Sequence, residues 1–107
     1  MAVQEISVEE LSALVSKGVV VIDVRETDEY VSGHVPGAVS APMSELAEHI
    51  DSFDKNTVNY VICQAGGRSM RVCDYLDGNG YQTVNVAGGT GAWLGAGYDV
   101  VLGSDPR

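Results

Sequence analysis

The chain has 107 residues, close to the commonest domain size, which excludes two full domains and a large multi-site enzyme. Hydrophobic residues make up 45%, enough for a core that needs no metal or disulfide staples. Six basic residues against fifteen acidic ones give a formal net charge of −9, which argues against bulk binding to nucleic acid or to an anionic membrane surface. The only cysteines, Cys63 and Cys73, are too few for the disulfide framework of a small secreted domain and suit reduced thiols in the cytoplasm. The stretch from Met1 to Ile6 has neither a positive n-region nor a long apolar run. No segment approaches the roughly 20 apolar residues of a membrane helix. There is no internal repeat, low-complexity tract or linker. The expectation is one domain over residues 1–107 with its core at about 5–100, cytoplasmic, without a membrane or nucleic-acid partner.

Helical segments alternate with short apolar runs along the chain, the pattern of an α/β fold. Ser7-Val8-Glu9-Glu10 is a capping box, with the N-cap hydroxyl and the Glu three residues on satisfying each other's backbone N–H groups. Val8, Leu11, Leu14 and Val15 follow at helical spacing, and Gly18 is placed as the residue that ends the helix. Val19 to Val24 is nearly all apolar and β-branched, which predicts a strand buried on both faces of a parallel sheet. Thr27 to Ser32 reads as a short helix closed by Gly33, and residues 34–38 as a turn. Val39 begins a short apolar stretch interrupted by Pro42. Ser44 is placed as the N-cap of a helix to about Ile50. Thr57 to Ile62 is a second strong strand and runs straight into Cys63. A glycine-containing loop then leads to a helix opened by Arg68, with Met70, Val72, Cys73 and Leu76 on its apolar face. Gly78-Asn79-Gly80 stops that helix. Thr83 to Val86 is a third strand, and Gly88 to Gly91 turn the chain into a short helix around Trp93.

The chemistry is concentrated in strand, Cys63, Gly66-Gly67, Arg68, helix. Open α/β sheets bind ligands at the carboxyl ends of their strands, where Cys63 stands. The loop feeds a helix N-terminus, where free N–H groups and the positive end of the dipole meet. Gly66 and Gly67 let several N–H groups turn inward as an anion nest. Arg68 adds a permanent cation. Each of these favours a thiolate, so the Cys63 pKa is expected below that of a free thiol.

These residues resemble a family. Cys63-Gln64-Ala65-Gly66-Gly67-Arg68-Ser69 is similar to the active-site loop of single-domain rhodanese sulfurtransferases. Asp23-Val24-Arg25, Glu29-Tyr30 and Gly33-His34-Val35-Pro36-Gly37-Ala38 are similar to the family's upstream signature, and Gly88-Gly89 with Ala92-Trp93 to its downstream one. The likeness spans roughly Val19 to Tyr98. It implies a rhodanese-like fold, a central, mostly parallel sheet with helices on both faces. It further implies a two-step sulfur transfer through a Cys63 persulfide, from thiosulfate or another persulfide to a thiol or cyanide. Gln64, Ala65, Gly66, Gly67, Arg68 and Ser69 would line the substrate site, their backbone N–H groups stabilising the terminal sulfur. Arg68 would attract the anionic donor and hold the loop closed. Asp23, Arg25 and His34 would be structural supports. No cofactor and no metal is implied. The partners would be small sulfur donors and thiol acceptors, with a sulfur-relay protein as a further candidate. Cysteine phosphatases on the same scaffold carry one more residue between Cys and Arg than the four found here, and a His before the Cys where Ile62 stands. Phosphatase or arsenate reductase activity is thus a disfavoured alternative. A non-enzymatic interaction or sulfur-sensing module is another, argued against by the intact loop. Gln64 and Ala65 are uncharged where two-domain rhodaneses carry a basic residue. Thiosulfate is therefore expected to be a weak donor, with a persulfide on glutathione or a protein as the other option.

Other residues have plainer readings. Cys73 fits the buried face of its helix, His49 a solvent-exposed helix among acids, and Trp93 packing under the active site. The two histidines and two cysteines lack metal-site spacing. Arg71, three residues past Arg68, either extends a positive pocket mouth or pairs with Asp74 or Asp77. Two of six cations, Arg68 and Arg71, fall in the eight residues that follow Cys63, so a positive cradle is expected inside a repulsive long-range field.

Overall fold

A computed structural model describes residues Val3 to Arg107. Five strands form one sheet: β1 (Gln4–Ile6), β2 (Val20–Asp23), β3 (Val39–Ser40), β4 (Val58–Ile62) and β5 (Gln82–Val86). Their order is β1-β5-β4-β2-β3, and every pairing is parallel. The chain leaves β2 toward β3 on one side and β4 toward β5 on the other. The crevice between the carboxyl ends of β2 and β4 is therefore the topological switch point, where such sheets bind ligands.

Helices cover both faces, as expected for a parallel sheet whose strands are apolar on both sides. The helices are α1 (Val8–Val15), α2 (Thr27–Ser32), α3 (Gly67–Asp77) and α4 (Gly89–Gly95). Val8 and Leu11 of α1, Tyr30 of α2 and Trp93 of α4 pack with Val21, Ile62 and Val86 on one face. Val72, Cys73 and Leu76 of α3 pack with Ile22, Val61 and Cys63 on the other. The period-two alternation of β4 sends Ile62 to the first face and Val61 and Cys63 to the second.

The capping box at Ser7 forms as read, with the Glu10 N–H donating to the Ser7 hydroxyl and the Ser7 N–H to the Glu10 carboxylate. Three local readings differ. Gln4–Ile6 is an edge strand that the sequence reading omits. Helix α1 stops at Val15, ahead of a turn that ends at Gly18, whose φ is +76°. Met43–Ser52 is a 3-10 segment broken at Glu45 (φ −127°, ψ 33°), not a helix capped by Ser44. The Ser44 hydroxyl instead donates to Glu26 at 2.7 Å. Phe53, just beyond, is buried.

The last residues are tied to the 34–37 turn. His34 and Val101 exchange backbone hydrogen bonds of 3.0 and 2.9 Å, and the Gly37 N–H donates to the Pro106 carbonyl at 2.8 Å.

Candidate active site

Cys63 follows β4 at the switch point and is 1% exposed. The Gly66 N–H donates to its sulfur at 3.1 Å and the Ser69 hydroxyl at 3.3 Å. Gly66 makes this curl possible: at φ +105° it takes the left-handed conformation that suits glycine, and it serves as the N-cap of α3. Burial pushes the Cys63 thiol up. The Ser69 hydroxyl and the backbone N–H groups of Ser69, Ala65 and Gly66 outweigh it, so the pKa lies below the ordinary thiol value. The sulfur forms the floor of a depression of about 350 Å³ lined by Gln64, Ala65, Gly67, Arg68 and Arg71.

The loop is buttressed from behind by the start of α4. The Thr90 N–H donates to the Cys63 carbonyl and the Gly91 N–H to the Gln64 carbonyl, each at 2.9 Å. Gly89 lies so close that a Cβ there would fall well inside contact distance of the Cys63 carbonyl oxygen. The Asn85 amide at the end of β5 donates to the Gly66 carbonyl at 3.2 Å and to Glu5 at 2.8 Å.

Arg25 joins the elements on the other side of the crevice. Its guanidinium donates to Asp23 at 2.8 Å, to the Gly33 carbonyl at 2.8 Å and to the Gln64 side-chain oxygen at 3.1 Å. The pair is buried, so its remaining donors have to be satisfied by such contacts. Asp23 and Arg25 thus hold the framework around the loop, and neither bonds the sulfur. His34 is fully buried and stacked on Tyr30, with ring centroids 3.7 Å apart. Its Nδ1 lies 2.9 Å from the Tyr30 carbonyl and its Nε2 2.8 Å from the Asp105 carbonyl. It touches the turn and the tail, and no hydrogen bond links it to the Cys63 loop among the described residues.

Arg68, expected to attract the anionic donor and to hold the loop closed, is engaged by an acid of a neighbouring helix. Its two terminal nitrogens donate to the two carboxylate oxygens of Glu29 at 2.8 and 2.9 Å, a fork-on-fork pair that clamps α3 to α2. The Arg68 hydrogen bond takes the Glu29 pKa down to about 2 against a smaller opposing effect of burial. The positive cradle is therefore half as positive as the cation count suggests. Glu29 is the residue that sequence reasoning missed. It stands 39 residues from Arg68, and its one signal was its place in the Glu29-Tyr30 block.

The remaining candidates separate from the loop. Cys73 is buried in α3, and burial pushes its thiol up to about 11, which disfavours thiolate chemistry there. Trp93 packs in the core on the sheet face opposite Cys63, its indole N–H donating to the Asp99 carbonyl at 2.8 Å. His49 is half-buried and lies 3.6 Å from Glu45. Among the described residues no group of three or more His, Cys, Asp or Glu is arranged to hold a metal ion, and no helix is long and apolar enough to cross a membrane.

A buried thiol of lowered pKa, held at a parallel switch point by a seven-residue loop, is the feature on which the comparison with known proteins turns. Residues 7–96 match the Rhodanese-like domain, and the chain belongs to that family of sulfurtransferases. Among its relatives, YtwF of Bacillus subtilis (strain 168) is 41% identical over 97 residues, covering 89% of this chain and 94% of that one. The thiosulfate sulfurtransferase GlpE of Pseudomonas entomophila (strain L48) is 33% identical over 91 residues, 84% of each chain. A crystal structure of a rhodanese-like domain protein from Staphylococcus aureus superposes with a TM-score of 0.83 at 36% identity, covering 92% of this chain and 97% of that one. The expected fold, a parallel central sheet between layers of helices, is the family's.

Proposed function

We propose that this chain transfers sulfane sulfur through a persulfide on Cys63. The observation that carries the reading is the sulfur's setting: buried at the loop floor, met by the Gly66 N–H and the Ser69 hydroxyl, with a lowered pKa. In the first step the Cys63 thiolate attacks the outer sulfur of a donor such as thiosulfate. A Cys63 S–S bond forms, the donor's S–S bond breaks, and sulfite leaves with the electron pair. The persulfide's terminal sulfur carries the negative charge, and the loop N–H groups stabilise it as they stabilise the thiolate. In the second step an acceptor, a thiolate or cyanide, attacks that terminal sulfur. The new bond to the acceptor forms, the persulfide bond breaks, and its electron pair returns to Cys63. A thiol acceptor is either a small molecule or a cysteine of a relay protein.

Within this proposal Gln64 to Ser69 form the substrate site, and Asp23, Arg25 and His34 support it. The name of the GlpE relative favours thiosulfate as one donor. The test is thiocyanate formation from thiosulfate and cyanide. The wild-type protein is expected to turn over and Cys63→Ser to lose all activity. Full turnover by Cys63→Ser would overturn the proposal. So would hydrolysis of a small aryl phosphate without any sulfur transfer.

A further inference from the structure

Of the six cations in the sequence, four are engaged by other groups and a fifth, Lys17, lies outside the lining of the Cys63 depression. Arg25 is buried against Asp23, and Arg68 is clamped by Glu29. Lys55 lies over the Tyr81 ring, 5.0 Å from its centroid, and Arg107 lies against Gly37. Lys17 sits in the turn after α1. Arg71 is different. It lines the depression above Cys63 and is exposed, and no ion pair or hydrogen bond engages its side chain among the described residues. Asp74 and Asp77, which follow it on α3, do not pair with it. Arg68 stands one turn earlier on the same helix, but Glu29 cancels its charge.

The Cys63 sulfur is at the floor and almost wholly covered, so only the leading sulfur of a donor can reach it. The rest of the donor stays in the mouth, which Arg71 shares with the uncharged Gln64 and Ala65. We propose that Arg71 is the specificity-determining residue for the sulfur donor, its guanidinium receiving the oxyanion head of a small anionic donor while the sulfane sulfur descends to Cys63. This rests on the persulfide reading above and uses the same bond changes. A guanidinium presents paired donors matched to sulfonate and to carboxylate alike, so the shared chemistry is the oxyanion. Thiosulfate and glutathione persulfide are its two sources. In a protein of net charge −9, one uncompensated cation at the mouth decides which anions are tolerated there.

The test measures persulfide formation on wild type, Arg71→Gln and Arg71→Lys with each donor. For the donor whose oxyanion Arg71 holds, Arg71→Gln is expected to raise KM about fivefold, as for loss of a partly exposed charge contact, while kcat stays within about twofold. Arg71→Lys should restore most of the loss, which a merely structural residue would not. The donor showing the shift is thereby identified. Unchanged KM for both donors in an active Arg71→Gln protein would overturn the inference and leave the persulfide reading standing. If the wild type forms no persulfide with either donor, that reading fails instead. Arg71 is then judged by calorimetric binding of thiosulfate to Cys63→Ser, which should weaken about fivefold in the Cys63→Ser, Arg71→Gln double variant. Equal binding by the two would overturn it.

Discussion

Burial and hydrogen bonding pull the Cys63 thiol in opposite directions, and the donors win. A lowered pKa means that persulfide formation rises with pH and levels off earlier than the ordinary thiol value would allow. The rate–pH profile of the first half-reaction should have its inflection below that of an ordinary free thiol. Ser69→Ala removes the leading favourable contact, so its inflection should move upward and its rate near neutral pH should fall. An unmoved inflection would take Ser69 out of the thiolate's support. Glu29 titrates in the same direction with a different consequence. Its folded-state pKa of about 2 lies below the ordinary 4.5, so the Arg68 pair contributes its full stability above 4.5 and loses it as pH falls toward 2. Both partners are about one-third exposed, so the contribution is below about 1 kcal/mol. Glu29→Gln should therefore cost little in thermal unfolding at pH 7 and even less at pH 3. Its main effect should be on the order of the loop, read as faster amide exchange at residues 64–68. Cys63 and its loop were legible because one short segment holds strand end, glycines, cation and helix start together. Glu29 was not, because its partner is 39 residues away and an acid on a surface helix looks like any other.

The elements that formed as read are those whose signals are local. The Ser7 box, the apolar runs of β2 and β4 and the α3 face each carry their reason within a few residues. Edge strand β1 was invisible because three residues, two of them exposed and polar, give no alternation to detect. The 3-10 segment departed from the helical reading because Pro42 sets its start, Glu45 breaks its backbone, and Ser44 is drawn to Glu26 on a different element. The Gly88–Gly91 turn is legible in the sequence, but not its bracing of the loop, which rests on hydrogen bonds from Thr90 and Gly91 to residues 63 and 64, far away along the chain. Two substitutions separate these layers. Gly67 has open space at its Cβ position, and Gly67→Ala should fold with a melting temperature close to wild type. Gly89 has a left-handed φ of +59° and the Cys63 and Gln64 backbone against it. Gly89→Ala should lower the melting temperature by several degrees, on the order of 2 kcal/mol or more, and disorder the active loop. Equal melting temperatures for the two variants would contradict the bracing role.

At the scale of the whole molecule, the acidic balance and the local site work against each other. The charge of −9 repels small dianions at long range, and with Arg68 compensated by Glu29 the pocket mouth offers only Arg71 in return. Capture of thiosulfate should therefore speed up as ionic strength rises from about 0.01 M to about 0.15 M, where the Debye length shrinks from about 30 Å to about 8 Å. A rate that falls steeply with salt would mean that the local attraction dominates the field. The central claim is that Cys63 carries the sulfur. Intact-protein mass spectrometry after incubation with thiosulfate tests it most directly. The account predicts a gain of about 32 Da located on Cys63, lost on adding cyanide or a thiol, with thiocyanate appearing in the cyanide case, and absent from Cys63→Ser. A mass gain that persists under reductant, or that also appears on Cys63→Ser, would contradict it.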